Sequence, residues 1–242
     1  MKRLLLGPHA VLEGLRAAPD QIAVVYISGE EHGALGDIAR VARERHVRCE
    51  TRDRAELDAL ADGVRHQGVL AIAGEYSYLT LDDLQARAPL KSLFVALDQI
   101  TDPHNFGAIV RSAVAFGADG IITLKDRAAP VTPVVVRASA GATEAARIAR
   151  VTNLARTLNE LSDAGMQVVG LDAAGTVDLR ELEYAQRGRV LVVGSEGHGL
   201  RRLVREHCET LAAIPMRGPL GSLNASVAAG IAIYESARRR SA

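Results

Sequence analysis

Three short segments combine polar side chains with glycine or proline, and each follows an apolar run that predicts a strand. We refer to them as motif 1 (residues 97–112), motif 2 (residues 192–200) and motif 3 (residues 214–231). In motif 1, Asn105 lies near a predicted helix start, where its amide can cap the helix or bind a ligand. Arg111 follows six residues later and brings a guanidinium group suited to phosphate.

Asn105 and Arg111 do not share one face of a regular helix, because six residues at 3.6 per turn leave them about 120° apart. They can converge on one ligand only if Asn105 still lies in the preceding loop. The competing interpretation of the pair is a helix cap and a surface arginine, both common in soluble proteins.

Motif 2 places three glycines around one carboxylate. Gly194, Gly197 and Gly199 surround Glu196 at the end of a predicted buried strand. Glycine lets the backbone approach a ligand closely and adopt positive φ, so this loop can hold a ligand beside the carboxylate. A tight turn with a solvated glutamate is the alternative. We interpret His198 as a loop residue without a chemical role.

Motif 3 crowds polar residues ahead of the last predicted helix. Two prolines and two glycines shape a loop, and Ser222, Asn224 and Ser226 follow at the helix start. One N-cap needs only one such side chain, and here there are three. This surplus favours a binding role for the segment.

The elements that must position these motifs alternate between strands and helices. Short apolar runs rich in β-branched residues predict strands, and apolar residues at helical spacing predict helices. The predicted strands are residues 22–27, 47–51, 69–73, 93–97, 120–123, 167–171, 190–193 and 211–214. The predicted helices are residues 35–46, a helix capped by Asp53, a short helix near 81–84, and residues 105–116, 152–164 and 226–240.

From residue 91 onwards, continuous apolar strands separated by helices predict an α/β fold with a mostly parallel sheet covered on both faces. The carboxyl ends of parallel strands meet at one edge of the sheet, where ligands bind. The three motifs are therefore expected to converge at that edge.

The chain divides into two predicted domains. Residues 1–74 form a small α/β domain, residues 75–90 a linker, and residues 91–242 the larger domain. A chain of 242 residues is long enough to give both domains a core of their own.

Several familiar site patterns are missing from the sequence. G-x-G-x-x-G after a strand, G-x-x-x-x-G-K-[ST], H-E-x-x-H and G-x-S-x-G do not occur, which argues against an ordinary Rossmann dehydrogenase or P-loop NTPase. Cys49 and Cys208 are the only cysteines. We therefore expect a reducing compartment, with neither a disulfide framework nor a zinc cluster.

Charge and hydropathy bear on location and partners. No run of 18 apolar residues occurs, so no membrane-spanning helix is predicted. The apolar start stops at Gly7-Pro8-His9, too early for a signal peptide, so a cytoplasmic location is expected. Basic and acidic residues number 29 each, without the basic surplus typical of nucleic-acid binders. Any affinity for a nucleic acid would have to come from local patches such as Arg201-Arg202 or Arg238-Arg239-Arg240.

In this order and spacing, the three motifs closely resemble those of the SPOUT methyltransferases, specifically the SpoU/TrmH family of RNA ribose 2′-O-methyltransferases. The resemblance covers roughly residues 93–237. Residues 1–74 resemble the small L30e-like RNA-binding domain that precedes some members, through Gly7-Pro8-His9-Ala10-Val11 and His66-Gln67-Gly68-Val69. The combined architecture is similar to that of the bacterial 23S rRNA guanosine 2′-O-methyltransferases, which modify the peptidyl-transferase region.

The resemblance implies S-adenosylmethionine as methyl donor, no metal, a deep trefoil knot in the C-terminal domain, and a homodimer whose active site lies near the subunit interface. It implies 23S rRNA or a ribosome-assembly precursor as partner. The implied catalytic residues are Asn105, Arg111, Glu196, Ser222 and Asn224. The implied donor-binding residues are Leu171, Gly194, Gly199, Ile214, Leu223 and Ser226.

The implied reaction moves a methyl group from a sulfonium to a ribose 2′-hydroxyl, which is a poor nucleophile until it loses its proton. Arginine has a pKa above ~12 and is a poor base. We therefore expect Arg111 to bind the target phosphate, lower the cost of the 2′-oxyanion and assist proton removal. Glu196 is expected to orient Arg111 or Asn224. Asn105, Ser222 and Asn224 are expected to hold ribose, phosphate and donor in line.

Three alternatives remain open from the sequence. The same chemistry on tRNA, or on another rRNA site where it confers antibiotic resistance, would show the same motifs. A non-catalytic RNA-binding or ribosome-assembly factor could keep the fold, although it would not require Arg111, Glu196 and Asn224. A small-molecule α/β enzyme is disfavoured by the missing nucleotide motifs and the L30e-like front domain, although fold alone does not determine function.

Overall fold

A computed structural model describes residues 3–29, 32–219 and 221–240, and strands alternate with helices along them. The strands are β1 (Arg3–Leu6), β2 (Ile22–Ile27), β3 (Cys49–Thr51), β4 (Val69–Ala73), β5 (Leu93–Asp98), β6 (Gly120–Leu124), β7 (Ile148–Val151), β8 (Gln167–Leu171), β9 (Val177–Asp178), β10 (Arg189–Gly194) and β11 (Thr210–Ala213). The α-helices are α1 (Pro8–Ala17), α2 (Ala34–Glu44), α3 (Arg54–Ala61), α4 (Leu81–Ala86), α5 (Pro103–Ala115), α6 (Pro133–Ala138), α7 (Ala142–Ala145), α8 (Leu154–Asp163), α9 (Arg202–Glu206) and α10 (Ala225–Arg240).

The contacts of the chain divide it into two units. The first comprises residues 1–77 and 130–145, and the second comprises residues 78–129 and 146–242. Most of the predicted linker thus lies in the second unit, where α4 buries Leu84 in the core. Residues 130–145 pack in the first unit although they lie far along the chain. The separate roles predicted for residues 1–74, 75–90 and 91–242 stay a prediction.

The first unit contains a four-stranded sheet in the order β1-β4-β2-β3. β4 is antiparallel to both of its neighbours, whereas β2 and β3 are parallel. Helices α1, α2 and α6 bury Val11, Ile38 and Val136 in one apolar cluster against the sheet. Asp53 is the N-cap of α3, as predicted, and its backbone N–H donates to Glu56 Oε2 at 3.3 Å.

An ion pair ties residues 130–145 to β1 within the first unit. Arg3 Nη2 donates to Glu144 Oε2 at 3.0 Å, and neither side chain is more than 5% exposed. Burial raises the pKa of Glu144, and the positive charge of Arg3 opposes that rise. Arg3 Nε and Nη1 are buried without a hydrogen-bond partner among the described residues. The single hydrogen bond therefore offsets only part of the cost of burying both charges.

We expect Glu144→Gln to lower the free energy of unfolding by about 3–5 kcal/mol, because it leaves the Arg3 charge buried without a counter-ion. The double variant Arg3→Met with Glu144→Met removes both charges and should recover most of that loss. Urea denaturation followed by circular dichroism measures both variants. If the double variant were no more stable than Glu144→Gln, side-chain packing rather than charge would govern this site.

The second unit contains a seven-stranded sheet in the order β7-β6-β5-β10-β8-β11-β9. Within the described residues, every strand pairing of this sheet is parallel. The predicted α/β class with a mostly parallel sheet is confirmed, whereas the trefoil knot implied by the resemblance stays a prediction. Because β10 lies between β5 and β8, the loop after it has strand ends on both sides.

Helices α5 and α10, which carry motif 1 and part of motif 3, pack against each other. A Cβ at Gly230 of α10 would lie 3.4 Å from Ser112 Oγ of α5, so the glycine permits this close approach. Towards the other end of α10, the fully buried Arg189 donates from Nη1 to Ser236 Oγ at 3.2 Å and from Nε to Gln167 Oε1 at 2.8 Å. These contacts hold α10 on the sheet and so fix its N-terminal end.

Candidate functional site

Motif 1 begins with a capped helix. Asp102 is the N-cap of α5, and its carboxylate accepts hydrogen bonds from the backbone N–H groups of His104 and Asn105, both at 3.1 Å. Asn105 therefore lies in the first turn of α5, where it is buried. Asn105 and Arg111 could converge on one ligand only if Asn105 lay in the loop before α5. Asn105 lies inside the helix, so this condition is not met.

Arg111 is exposed on α5, on a different face of the helix from Asn105. Its side chain makes no hydrogen bond or ion pair within the part of the chain that the structure describes. Within this chain, Arg111 and Asn105 therefore lie on different faces of α5 and have no hydrogen bond to each other.

Motif 2 forms a tight glycine loop at the end of β10. Ser195 N–H donates to Gly199 O at 3.2 Å, and Gly199 N–H donates to Ser195 O at 2.9 Å. Gly197 and Gly199 adopt positive φ, of 76° and 63°. A Cβ at Gly194 would lie 2.2 Å from the carbonyl carbon of Gly199, so only glycine lets the loop fold back over the strand end.

Asn224 joins the three motifs. Its Nδ2 donates to Asn105 Oδ1 at 3.0 Å and also to Glu196 Oε1. Its Oδ1 accepts from the Ser226 N–H at 2.9 Å, from Ser226 Oγ at 2.6 Å and from the Val227 N–H at 3.2 Å. Asn224 thus caps α10 and links two other motifs at once, so the cap and the binding interpretations of motif 3 are compatible.

We call Asn105, Glu196, Asn224 and Ser226 the asparagine network. It gathers side chains that lie 28 and 119 positions from Asn224 along the sequence. Because the backbone of α10 holds Asn224 Oδ1, the amide hydrogens must face Asn105 and Glu196. The hydrogen bond from Asn224 orients the exposed Glu196 carboxylate. Arg111 and Asn224 were the two expected partners of Glu196, and the structure shows the contact with Asn224. A catalytic role for this network stays a prediction.

Three of the residues implied to bind the donor share one edge of the sheet. Leu171 and Gly194 end β8 and β10, and Ile214 directly follows β11. These strands are neighbours in the order β10-β8-β11. These three residues therefore lie at the carboxyl edge of the sheet, where the sequence predicts that the motifs converge.

The segment ahead of α10 holds the remaining implied residues. Leu223 is partly buried and Ser222 is exposed, and Leu220 lies outside the described residues. The Ser222 side chain makes no hydrogen bond to any described residue, so the structure does not connect it to the asparagine network.

A cavity of about 360 Å³ opens beside the asparagine network, at the ends of β5, β6 and β10. Its lining includes Gln99, Asp102, Asn105, Arg127, Glu196 and His198. No sequence pattern marks Gln99 or Arg127 as site residues, and the sequence predicts His198 to be a loop residue without a chemical role. The strand order is what brings them together, and no local pattern of residues could have shown it.

The basic patches suggested by the sequence are engaged by carboxylates. Arg201 donates from its backbone N–H and its Nε to the buried Asp98 at 2.8 and 2.7 Å. The other ion pairs are Arg202–Glu206, Arg238–Glu235, Arg239–Glu235 and Arg240–Asp119. Each of these five arginines thus has a carboxylate partner, and the contribution of the two patches to RNA affinity stays a prediction.

Other chemistry can be tested against the described residues. Among residues 3–29, 32–219 and 221–240, no group of three or more His, Cys, Asp and Glu side chains could hold a metal ion. Over the same ranges, no helix is both long and apolar enough to cross a membrane. Burial raises the pKa of the Cys208 thiol to about 12, so it stays protonated at neutral pH and is a poor nucleophile.

Comparison with known proteins covers both units. A family model described as the SpoU rRNA Methylase family matches residues 92–234. A second model, described as RNA 2′-O ribose methyltransferase substrate binding, matches residues 4–79. A Mycolicibacterium smegmatis protein named as an uncharacterized tRNA/rRNA methyltransferase is 46% identical over 98% of this chain and 76% of its own.

Solved structures share the fold. The AdoMet-bound rRNA methyltransferase from Sinorhizobium meliloti matches with a TM-score of 0.80 and 28% identity, over 98% of this chain and 87% of that chain. The A. aeolicus TrmH/SpoU tRNA modifying enzyme matches with a TM-score of 0.56 and 32% identity, over 66% of this chain and 82% of that chain.

Proposed function

The chain belongs to the SpoU rRNA methylase family, and on that premise we propose that it methylates the ribose 2′-hydroxyl of a guanosine in the peptidyl-transferase region of 23S rRNA, with S-adenosylmethionine as donor. The Sinorhizobium meliloti relative is an rRNA methyltransferase bound to that donor. The match of residues 4–79 to a substrate-binding model of RNA 2′-O ribose methyltransferases supports RNA as the acceptor. A cytoplasmic location is part of the proposal.

The asparagine network is the observation that carries this proposal. Asn224 donates to Asn105 at 3.0 Å and to Glu196, although the three residues come from three separate motifs. Capping of α10 needs only the oxygen of the Asn224 amide, so capping does not explain why its nitrogen reaches two other motifs. A preorganised polar site at the carboxyl edge of a parallel sheet does explain it.

The edge formed by β8, β10 and β11 fits the donor. Gly194 lets the loop lie directly against the strand end, while a Cβ at Gly199 would meet no atom within 4 Å, so open space remains beside the loop. When bound, S-adenosylmethionine supplies an electrophilic methyl group, a chemistry that needs no metal. The proposed donor-binding residues are Leu171, Gly194, Gly199, Ile214, Leu223 and Ser226.

The residues of the chain then act on the acceptor. Asn105, Ser222 and Asn224 are proposed to hold ribose and phosphate in line with the methyl group, since alignment alone removes a large part of such a barrier. Arg111 is proposed to bind the target phosphate and to stabilise charge that develops on the 2′-oxygen as its proton leaves. Glu196 is proposed to hold Asn224 in place through the hydrogen bond that joins them.

We propose that two copies of the chain form a homodimer, in which Arg111 of one copy acts together with the asparagine network of the other. Beside α5, helix α10 exposes Val227, Ile231 and Tyr234 at helical spacing, and each is at least 41% exposed. The Tyr234 ring meets the exposed Phe116 ring at the end of α5 with centroids 5.3 Å apart. This apolar face lies on the two helices that carry Arg111 and the asparagine network, so covering it would complete the site from the partner.

Ile231→Glu is expected to convert the dimer to a monomer and to abolish methyl transfer, because it places a charge in the apolar face. Leu203→Glu is the matched control, since Leu203 is 54% exposed on α9, outside that face. Sedimentation equilibrium gives the mass of each variant, and circular dichroism gives its folded content. A dimeric, active Ile231→Glu variant would contradict this interface.

The proposed reaction is tested by methyl transfer from labelled S-adenosylmethionine to 23S rRNA transcribed without modifications, with tRNA in a parallel reaction. The product is digested and mapped for 2′-O-methylguanosine. We expect label on one guanosine of the peptidyl-transferase region. Label on tRNA alone would keep the chemistry and overturn the rRNA target. No label on any RNA, with donor binding intact, would favour a non-catalytic RNA-binding or ribosome-assembly factor.

A further inference from the structure

We propose that the cavity beside the asparagine network is the acceptor pocket, where one unstacked nucleotide of the target RNA binds with its base between Gln99 and His198 and with one of its two flanking phosphates on Arg127, the other being the phosphate proposed for Arg111. The inference rests on the proposed function and deepens it. It assigns a binding role to three residues that neither the motifs nor the comparisons single out.

The strand order supplies the first argument. β10 lies in the middle of the sheet, with β5 and β6 to one side and β8 and β11 to the other. Of the proposed donor residues, Leu171 ends β8, Ile214 follows β11, and Gly194 and Gly199 lie at the end of β10, whereas Gln99 and Arg127 follow β5 and β6. Glu196 lies in the loop after β10, next to the donor glycines, and also lines the cavity. A transfer reaction needs two binding sites that meet at one point, and this edge provides them on either side of the asparagine network.

The backbone around the cavity supplies the second argument. Gln99 and Arg127 adopt left-handed conformations, with φ of 59° and 56°, although neither is glycine. Such conformations are unfavourable for residues with a Cβ, and they concentrate at functional sites. A hydrogen bond of 2.9 Å from the Ala129 N–H to Ile100 O ties the two loops together. The loops therefore hold both side chains at the cavity at an energetic cost.

The charges supply the third argument. Arg127 has no hydrogen bond or ion pair to any described residue, in contrast to Arg201, which is bound to Asp98. Asp102 and Glu196 also line the cavity, and each accepts hydrogen bonds from neutral groups, Asp102 from the start of α5 and Glu196 from Asn224. Among the lining residues Arg127 supplies the guanidinium, a group that suits a phosphate.

The remaining lining suits a nucleobase. The Gln99 amide offers one donor and one acceptor side to a base edge and makes no hydrogen bond to the described residues. His198 presents a flat ring, on which an unstacked base can lie. A cavity of about 360 Å³ has the size of a single nucleotide, so we expect the target nucleotide to enter it after leaving its stack.

The test compares Arg127→Ala and Arg127→Lys with the wild type and with Arg187→Ala. Arg187 is the matched control because it is exposed, has no partner among the described residues, and precedes β10 at the opposite edge of the sheet. Three quantities are measured: KM for unmodified 23S rRNA transcript, kcat, and the dissociation constant of S-adenosylmethionine by calorimetry.

Arg127→Ala is expected to raise KM for the RNA roughly 10- to 100-fold, the value of one charge-assisted hydrogen bond, with donor affinity unchanged. Arg127→Lys should recover part of that loss because it keeps the charge. A KM and kcat like those of Arg187→Ala would overturn the inference, and so would a loss of donor binding. If the wild type itself methylated no RNA, the proposed function would fail first and the inference with it.

Gln99→Ala tests the base contact with a readout that a purely structural role would not change. We expect methylation to spread to nucleotides other than guanosine when the product is digested and mapped. Unchanged nucleotide identity together with unchanged KM would remove Gln99 from the pocket.

Discussion

Replacing Arg111 by alanine is expected to lower the rate of methyl transfer by about 10²- to 10⁴-fold, the usual effect of removing a group that assists proton transfer or stabilises a developing anion. Donor affinity should stay within a few-fold of the wild-type value, because Arg111 lies on α5 and is not one of the residues proposed to bind the donor at β8, β10 and β11. Single-turnover transfer of labelled methyl groups to the RNA measures the rate, and calorimetry measures donor binding.

Arg156→Ala is the control for this experiment. Arg156 is an exposed arginine on α8 that pairs with Glu160, one helical turn away, so its loss should leave transfer unchanged. If Arg111→Ala transferred methyl groups within a few-fold of the Arg156→Ala rate, the role assigned to Arg111 would be wrong.

Gly194→Ala is expected to raise the dissociation constant of S-adenosylmethionine roughly 10- to 100-fold. Its Cβ would lie 2.2 Å from the carbonyl carbon of Gly199, a backbone atom that cannot move without opening the loop. Overpacking of this kind costs about 1–3 kcal/mol, which corresponds to that range of affinity if the loop must close to bind the donor. Calorimetric titration with the donor measures the effect, and a thermal melt confirms that the chain is folded.

Gly197→Ala provides the comparison within the same loop. A Cβ at Gly197 would meet nothing within 4 Å, and only its positive φ of 76° opposes a side chain. That strain is about 1–2 kcal/mol, so a smaller loss of affinity is expected. Equal losses for the two variants would mean that backbone strain, and not the close approach at Gly194, controls donor binding.

The core strands could be predicted from the sequence, and the elements that depend on distant partners could not. The apolar runs at residues 69–73 and 167–171 match β4 and β8, because a strand buried on both faces carries its own signal. β1 was missed because its four residues resemble the start of a signal peptide until β4 pairs with it. Helices α6 and α7 are too short to show a helical period, and their packing in the first unit depends on tertiary contacts.

For the candidate site, the sequence predicts which side chains take part better than it predicts which of them contact one another. It brought forward Asn105, Glu196 and Asn224 as polar groups at strand ends, but the hydrogen bonds between them depend on strand order. Helix periodicity correctly separates Asn105 from Arg111. The sequence also does not show which carboxylate each of the adjacent arginines Arg201 and Arg202 pairs with after folding, Asp98 and Glu206 respectively.

The placement of residues 130–145 in the first unit has a consequence for how modular this protein is. The chain passes between the units three times, at residues 77–78, 129–130 and 145–146, so no single cut yields two intact halves. A fragment that starts at residue 78 would present the buried side chains of Val135 and Val136 to water. Expression of the larger unit by itself would therefore need polar substitutions within residues 130–145 as well as a new starting residue.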